Sequence, residues 1–337
     1  MHGSPKKRDR LLRGGAAFFL ALFLLTVPAA AAPASEAASG RMLIPVGHTA
    51  GIKLFARGVM VVKLPEDDTP ARECGLKTGD VIVKCGGVSV TSTEQFQSLL
   101  QKTGQDATDL QVRRGGESVT LSVSPEQNEK GAYCIGAWIR DSMAGIGTIT
   151  YVDPETNTFG ALGHGITDTD TAQLMPFASG SILPSTVKAV KKGETGSAGE
   201  LRGDFDLETN LGELYANTSC GVFGTMTEDC GAVAGKAVPV GTARTGSAVI
   251  RSNVRGDEVE EFDIEILRVM EDTADGRQLV LSVTDPDLIE ATGGIVQGMS
   301  GSPILQDGKL VGAVTHVLLN DATKGYGILI ETMLNAS

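Results

Sequence analysis

Three side chains in this 337-residue chain are of the types that attack a carbonyl and move a proton. The first is Ser300, in Gly298-Met299-Ser300-Gly301-Ser302-Pro303. A serine between glycines, in a tight turn ahead of an apolar strand, presents its hydroxyl clear of its own backbone. Amide N–H groups of such a turn can converge on the negative charge of a tetrahedral intermediate. Ser302 is the second-choice nucleophile. The strand that follows, Leu310–Val314, is placed to hydrogen-bond a substrate backbone.

A serine nucleophile needs a base. The chain has four histidines, His2, His48, His164 and His316. His2 is in the leader and His48 precedes the first folded unit, so the base is His164 or His316. His164 lies between glycines in Leu162-Gly163-His164-Gly165 at a strand end, free to reach a neighbouring chain, and is the expected base. His316 reads as structural or substrate-lining. The third group is an acid that fixes the imidazole tautomer. Asp285, in Thr284-Asp285-Pro286, ends a strand ahead of Ser300. Asn217 and Asp168 are rivals that spacing alone does not separate from it. The serine turn and its strand resemble those of chymotrypsin-like serine proteases. That pattern implies attack by the first serine, with the Gly298 and Ser300 N–H groups as oxyanion donors.

The elements that must hold these groups are mostly β. Glycine is abundant at 43 residues and aromatics make up 4%, and short Val/Ile/Thr runs between Gly-rich turns read as strands. The length suits two folded units plus a leader. Residues 1–34 form that leader. Lys6, Lys7, Arg8, Arg10 and Arg13 precede an apolar run from Ala16 to Val27 and the small residues Ala29–Ala32. This is a signal peptide or a signal-anchor, and the rest of the chain is expected to be exported. Membrane contact is expected only through this segment.

Met1–Arg13 carries +4 and the remainder −16. That acidity disfavours nucleic acid and anionic membrane surfaces as partners. Cys74, Cys85, Cys134, Cys220 and Cys230 have no metal-ligand spacing, so no metal or other cofactor is expected. They read as small buried hydrophobes, with a Cys220–Cys230 pair as the alternative.

Residues 42–125 look like a PDZ domain, a small α+β unit. Thr69-Pro70-Ala71-Arg72-Glu73-Cys74-Gly75-Leu76-Lys77-Thr78-Gly79-Asp80 reads as a short helix, Gly-Leu, then Gly-Asp entering a strand. Ser92 with Gln95 caps a second helix whose apolar face is Phe96, Leu99 and Leu100. Strands Asp109–Val112 and Ser118–Val123 close the unit. A PDZ domain adds a peptide ligand as an extra strand. By this resemblance Gly51, Ile52, Lys53 and Leu54 are the carboxylate loop and its strand edge. From residue 132 to 337 a second, β-barrel-type domain is expected. Its opening hairpin, Gly147–Val152 and Thr158–Leu162, delivers His164.

Leader, PDZ unit, Gly163-His164-Gly165 and the string Gly293-Gly294-Ile295-Val296-Gln297-Gly298-Met299-Ser300-Gly301-Ser302-Pro303-Ile304 occur in an order that resembles the SpoIVB peptidase family, stage IV sporulation protein B. Gly312-Ala313-Val314-Thr315-His316-Val317 and Gly325-Tyr326-Gly327 extend the resemblance over nearly the whole chain. It implies a catalytic triad of His164, Asp285 and Ser300, with a family asparagine implicated in activity near Asn217, at or near the oxyanion site. It also implies a protease secreted from the forespore into the space between two membranes. There it cuts itself near its leader. It also cuts a protein that regulates a membrane-embedded protease, which releases processing of a late sigma factor. Two features depart from the family: a short stretch between leader and PDZ unit, and the closeness of Asp285 to Ser300. The rival readings are a non-enzymatic PDZ regulator and a general exported trypsin-like protease.

Overall fold

The computed structural model describes residues 40–227, 235–270, 273 and 276–337. The leader lies outside the described residues, as does Cys230 with its suggested pairing to Cys220. Cys85 is buried, whereas Cys74, Cys134 and Cys220 are half-buried.

In chain order, β1 (Met42–Pro45) and the long β2 (Thr49–Lys63) lead to the one-turn helix α1 (Pro70–Glu73). Then come β3 (Val81–Cys85), β4 (Val88–Ser89), α2 (Thr93–Thr103), β5 (Thr108–Arg114), β6 (Glu117–Val123), β7 (Glu126–Gln127) and β8 (Tyr133–Cys134). A second long strand, β9 (Trp138–Asp153), turns into β10 (Thr158–Ala161). It is followed by β11 (Phe177–Lys191), β12 (Glu200–Phe205), β13 (Gly212–Thr218), β14 (Gly221–Met226) and β15 (Val238–Pro239). The last part holds β16 (Gly246–Arg255), β17 (Glu258–Val269), β18 (Leu279–Val283), α3 (Pro286–Thr292), β19 (Pro303–Gln306), β20 (Lys309–Leu318), β21 (Asp321–Leu329) and α4 (Ile330–Ala336).

These strands make two barrels with a PDZ unit strung from the first. The first barrel runs β9–β10–β14–β13–β11–β2 and closes by pairing of β2 with β9. Its core includes Ile52, Ile149, Phe159, Ile182 and Val222. The second closes in the order β16–β17–β18–β21–β20–β19 around Ile250, Phe262, Ile266, Leu281 and Val314. The PDZ core is separate and gathers Val59, Ile82, Phe96, Leu100, Leu110 and Val112. The α2 cap forms as its sequence predicts: Ser92 Oγ accepts from Gln95 N–H at 3.1 Å. Gln95 Oε1 in turn accepts from Thr91 N–H at 2.7 Å.

The structure divides the PDZ unit differently from the 42–125 span. Residues 49–55 of β2 pair with β9 on one side and, from Ala50 to Phe55, with β11 on the other, as staves of the first barrel. After a register shift between Phe55 and Met60, β2 continues as a PDZ strand against β3. Gly51–Leu54 is therefore not a peptide-binding edge: Ile52 is paired with Gly145 and with Ile182, so both edges are taken. The strand that lies beside β2 in the PDZ half is the start of β9, with Lys63 opposite Trp138. It is tied to α2 by the Asp141 carboxylate, which accepts from Thr93 N–H at 2.7 Å. Sequence alone does not show this, because the pairing joins segments some eighty residues apart.

Candidate active site

The nucleophile turn is wedged between the barrels. It leaves α3, passes Gly293–Ser302 and enters β19. From the first barrel, Thr148 grips it twice: its N–H donates to the Ser300 carbonyl at 2.9 Å and its Oγ1 to the Gly298 carbonyl at 2.7 Å. From the second, the Val314 carbonyl accepts from Gly301 N–H at 2.7 Å. Gly298 has φ +99°, and a Cβ there would meet Ile146 Cγ2 at 2.6 Å, so this corner needs glycine. Thr148 is fully buried and sequence reasoning missed it. Its partners lie about 150 residues downstream, and nothing local marks it.

Within the turn, Met299, Gly301 and Ser302 N–H groups are bonded to Val296, Val314 and Met299 carbonyls. The Gly298 and Ser300 N–H groups donate to no described residue. These are the two amides that the sequence pattern assigns to an oxyanion. Ser302 is fully buried behind the turn and does not line the cavity, which leaves Ser300 as the reachable hydroxyl. Ser300 Oγ donates to the Thr315 carbonyl at 2.7 Å. Attack requires it to rotate away from that carbonyl towards His164.

His164 follows the end of β10 and faces the same cavity, of about 1130 Å³, as Ser300 and His316. Its Nδ1 lies 2.9 Å from the Gly165 carbonyl oxygen. A carbonyl only accepts, so Nδ1 carries the proton and donates, and Nε2 keeps the lone pair a base needs. Packing around most of the ring lowers its pKa below the ordinary 6.5, and the bond to Gly165 only partly opposes that. The ring is therefore neutral at pH 7. His316 lies beside it, with ring centroids 5.1 Å apart and the planes tilted by 39°.

The loop after His164 is clamped by Asn217. Its Oδ1 accepts from Ile166 N–H at 2.8 Å, and its Nδ2 donates to the Ile166 and Met175 carbonyls at 3.0 and 3.1 Å. Asn217 thus positions the base loop, with its amide fully used, and is not an oxyanion donor. Asp168 is fully buried, and its carboxylate pairs with Arg140 and accepts from Asp170 and Thr171 N–H groups.

The structure does not bring Asp285 to His164. Asp285 is the N-cap of α3: Oδ1 accepts from Asp287 and Leu288 N–H at 2.9 and 3.0 Å, and Oδ2 from Asp263 N–H at 3.2 Å. Three backbone donors hold the carboxylate, and its role here is to start the helix that leads to the nucleophile turn. Asp285→Ala is then expected to cost about 1 kcal/mol of stability and to lower activity with it. Asp285→Ser, which also caps, is expected to restore most of both. Melting curves and peptidase rates on the two variants check this. A serine variant as inactive as the alanine one at equal folding would place Asp285 against His164 in the working enzyme.

The strand proposed to receive substrate also needs a shift. Within Leu310–Val314, Gly312 and Ala313 are paired on both sides, by β19 and β21, and Val314 lies between Gly327 of β21 and the nucleophile turn, to which its N–H and carbonyl are bonded. The part of β20 that borders the cavity is Thr315–Leu318.

Ser300 and a neutral His164 line one cavity between two β-barrels, in a fold that also carries a PDZ unit. The chain belongs to the SpoIVB peptidase S55 family, whose model matches residues 131–334, and a PDZ domain model matches residues 61–114. It is 45% identical over 62 residues to serine protease HTRA1 of Xenopus tropicalis, which is 18% of this chain and 13% of that protein. It is 32% identical over 82 residues to a putative zinc metalloprotease of Clostridium perfringens, 24% of each. The chain thus spans only a small part of those curated relatives. Among solved structures, the PDZ domain of the SdrC-like protein from Listeria monocytogenes is 24% identical over 25% of this chain and 87% of that one, with a TM-score of 0.23. The active form of the Rv3671c protease from M. tuberculosis is 12% identical over 58% and 73%, with a TM-score of 0.31.

Proposed function

We propose that this serine peptidase is an exported signalling endopeptidase of sporulation. In this reading it cuts itself near its leader and cuts a protein that regulates a membrane-embedded protease, and so triggers processing of a late sigma factor. Family membership, the basic-then-apolar leader and the PDZ unit support it. The observation that carries the chemistry is the meeting of His164 and Ser300 in one cavity, with two amides in the serine turn that donate to no described residue.

The reaction is acyl transfer. Ser300 Oγ attacks the peptide carbonyl carbon while His164 Nε2 takes its proton. The carbonyl oxygen, now negative, lies against the Gly298 and Ser300 N–H groups. His164 passes the proton to the leaving amine, and water then repeats the cycle on the ester. The Gly165 carbonyl keeps Nδ1–H in place throughout. Being uncharged, it steadies the imidazolium less than a carboxylate would.

The test is to express the full chain as wild type and as Ser300→Ala, to label both with a fluorophosphonate, and to follow intact mass over hours. Labelling and self-trimming in the wild type alone are expected. Wild-type protein that neither labels nor trims, or an alanine variant that trims equally, would overturn the reading.

A further inference from the structure

Two strand edges reach the cavity that holds Ser300. One is Thr315–Leu318 of β20, in the second barrel beside the nucleophile. The other is the stretch of β9 from Met143 to Ile146, in the first barrel beside the base. β9 pairs with β2 along Trp138–Thr148 on one edge only. Its opposite edge meets β10 from Ile149 onward, and before that meets no strand among the described residues. Thr148 fixes which way the backbone points. Its N–H and carbonyl face away from β2, bonded to the Ser300 carbonyl and to Leu162 N–H. The pairing with β2 has no register shift from Thr49–Thr148 to Phe55–Ser142. By strand alternation, the N–H and carbonyl groups of Ile146, Ala144 and Ser142 therefore face the same open side. None of them is bonded to a described residue. Ala144 and Gly145 are exposed, with little side chain to keep another backbone away.

We infer that this open edge of β9 docks the part of a substrate polypeptide that follows the scissile bond, added as an antiparallel strand. The inference rests on the peptidase reading. The side is set by proton chemistry: His164 must deliver its proton to the leaving amine, so the leaving segment lies against the barrel that carries His164. The direction is set by Thr148. A chain leaving Ser300 along this edge runs from Ile146 towards Trp138, opposite to β9. The floor near the cut is apolar, formed by Ile52, Ile146, Leu162, Ile166 and Leu174, so it favours apolar residues just after the scissile bond.

The strand does not stop at the cavity: past the register shift that follows Ser142 it still pairs with β2 as far as Trp138, and no other described strand pairs with its outer side there. The same strand continues into the PDZ half, where Asp141 is bonded to the start of α2 and Trp138 is 65% exposed. A strand edge beside a helix is how PDZ domains take peptides. From Ile146 to Trp138 is about 27 Å at the usual rise per strand residue. One extended segment of about nine residues therefore spans from the nucleophile to the PDZ helix. The two halves read one ligand along one strand, rather than two ligands at two sites.

The probe is β-casein, an unfolded protein. Full-length enzyme is given β-casein, the cut bonds are mapped by mass spectrometry, and peptides are made around one such bond with two, five or nine residues after it. A rise in kcat/KM of about tenfold or more from two residues to nine is expected, lost on N-methylating alternate residues of the longest peptide. Full-length Ser300→Ala with β-casein is expected to show slowed amide exchange at Ser142–Ile146. Equal rates for two and nine residues, with unchanged exchange, would overturn the docking edge and leave the peptidase standing. Slowed exchange with neither cleavage nor fluorophosphonate labelling would uphold the edge as a peptide site and overturn the peptidase.

Discussion

Replacing His164 with alanine is expected to lower kcat/KM by roughly 10⁴-fold or more while the protein stays folded. No other base replaces it at the same position. His316 is 5.1 Å away between ring centroids but sits on β20, in the other barrel wall. The wild-type pH profile gives the same residue a second signature. Burial holds the folded pKa of His164 below 6.5, so the base is neutral at pH 7 and is lost only as the pH falls through that lowered value. Activity is therefore expected to be flat above pH 6.5 and to fall on the acid side. The stability sign follows from the same shift. Below 6.5 the unfolded chain takes up a proton that the folded ring resists, so His164 contributes a loss of stability as the pH drops. Initial rates and melting temperatures between pH 5 and 8 check both. A rate that kept climbing from pH 6.5 to 8 would assign the base to a group with a higher pKa.

The largest effect on folding is expected at Gly301. Its φ is +99°, and a Cβ there would stand 2.1 Å from the Thr148 carbonyl oxygen and 2.6 Å from Leu162 N. Both contacts are backbone of the first barrel, held by its strand pairing, so neither gives way cheaply. Gly301→Ala combines this overlap with an unfavourable φ and is expected to cost roughly 3–5 kcal/mol. That is a large share of a normal domain's margin of about 5–15 kcal/mol. Urea unfolding measures it. A variant as stable as wild type would mean that the two barrels do not close on this turn as described.

Much of the site was legible before any coordinates. A serine between glycines, with few histidines to pair with it, singles out Ser300 and His164, and the two amides that donate to no described residue fall where the turn pattern puts them. The strand pattern shows two β units, and the Gly-Leu and Gly-Asp signatures mark the PDZ core. What sequence does not show are long-range partners. Gly51–Leu54 reads as a ligand loop because its local pattern fits one, yet β9 and β11 cover both of its edges. Asp285 precedes a proline at a strand end, and that pattern serves a helix cap as well as a catalytic acid. Asn217 holds the loop after His164, and its amide is spent on Ile166 and Met175. Thr148, which grips the nucleophile turn, carries no local signal.

The long β2 has a consequence for the order in which the molecule is made. Its first half pairs with β9 and β11, which are synthesised some 90 and 130 residues later. The PDZ core can assemble from residues 59 to 135 while that half of β2 still has no neighbours. During elongation an apolar strand is therefore born early and kept waiting. The first barrel cannot close until β14 has emerged, because β10 and β13 meet only through it. Self-association of nascent chains is then greatest in that interval. Slower elongation across residues 64–176 would lengthen it, whereas slower elongation after residue 226 would not.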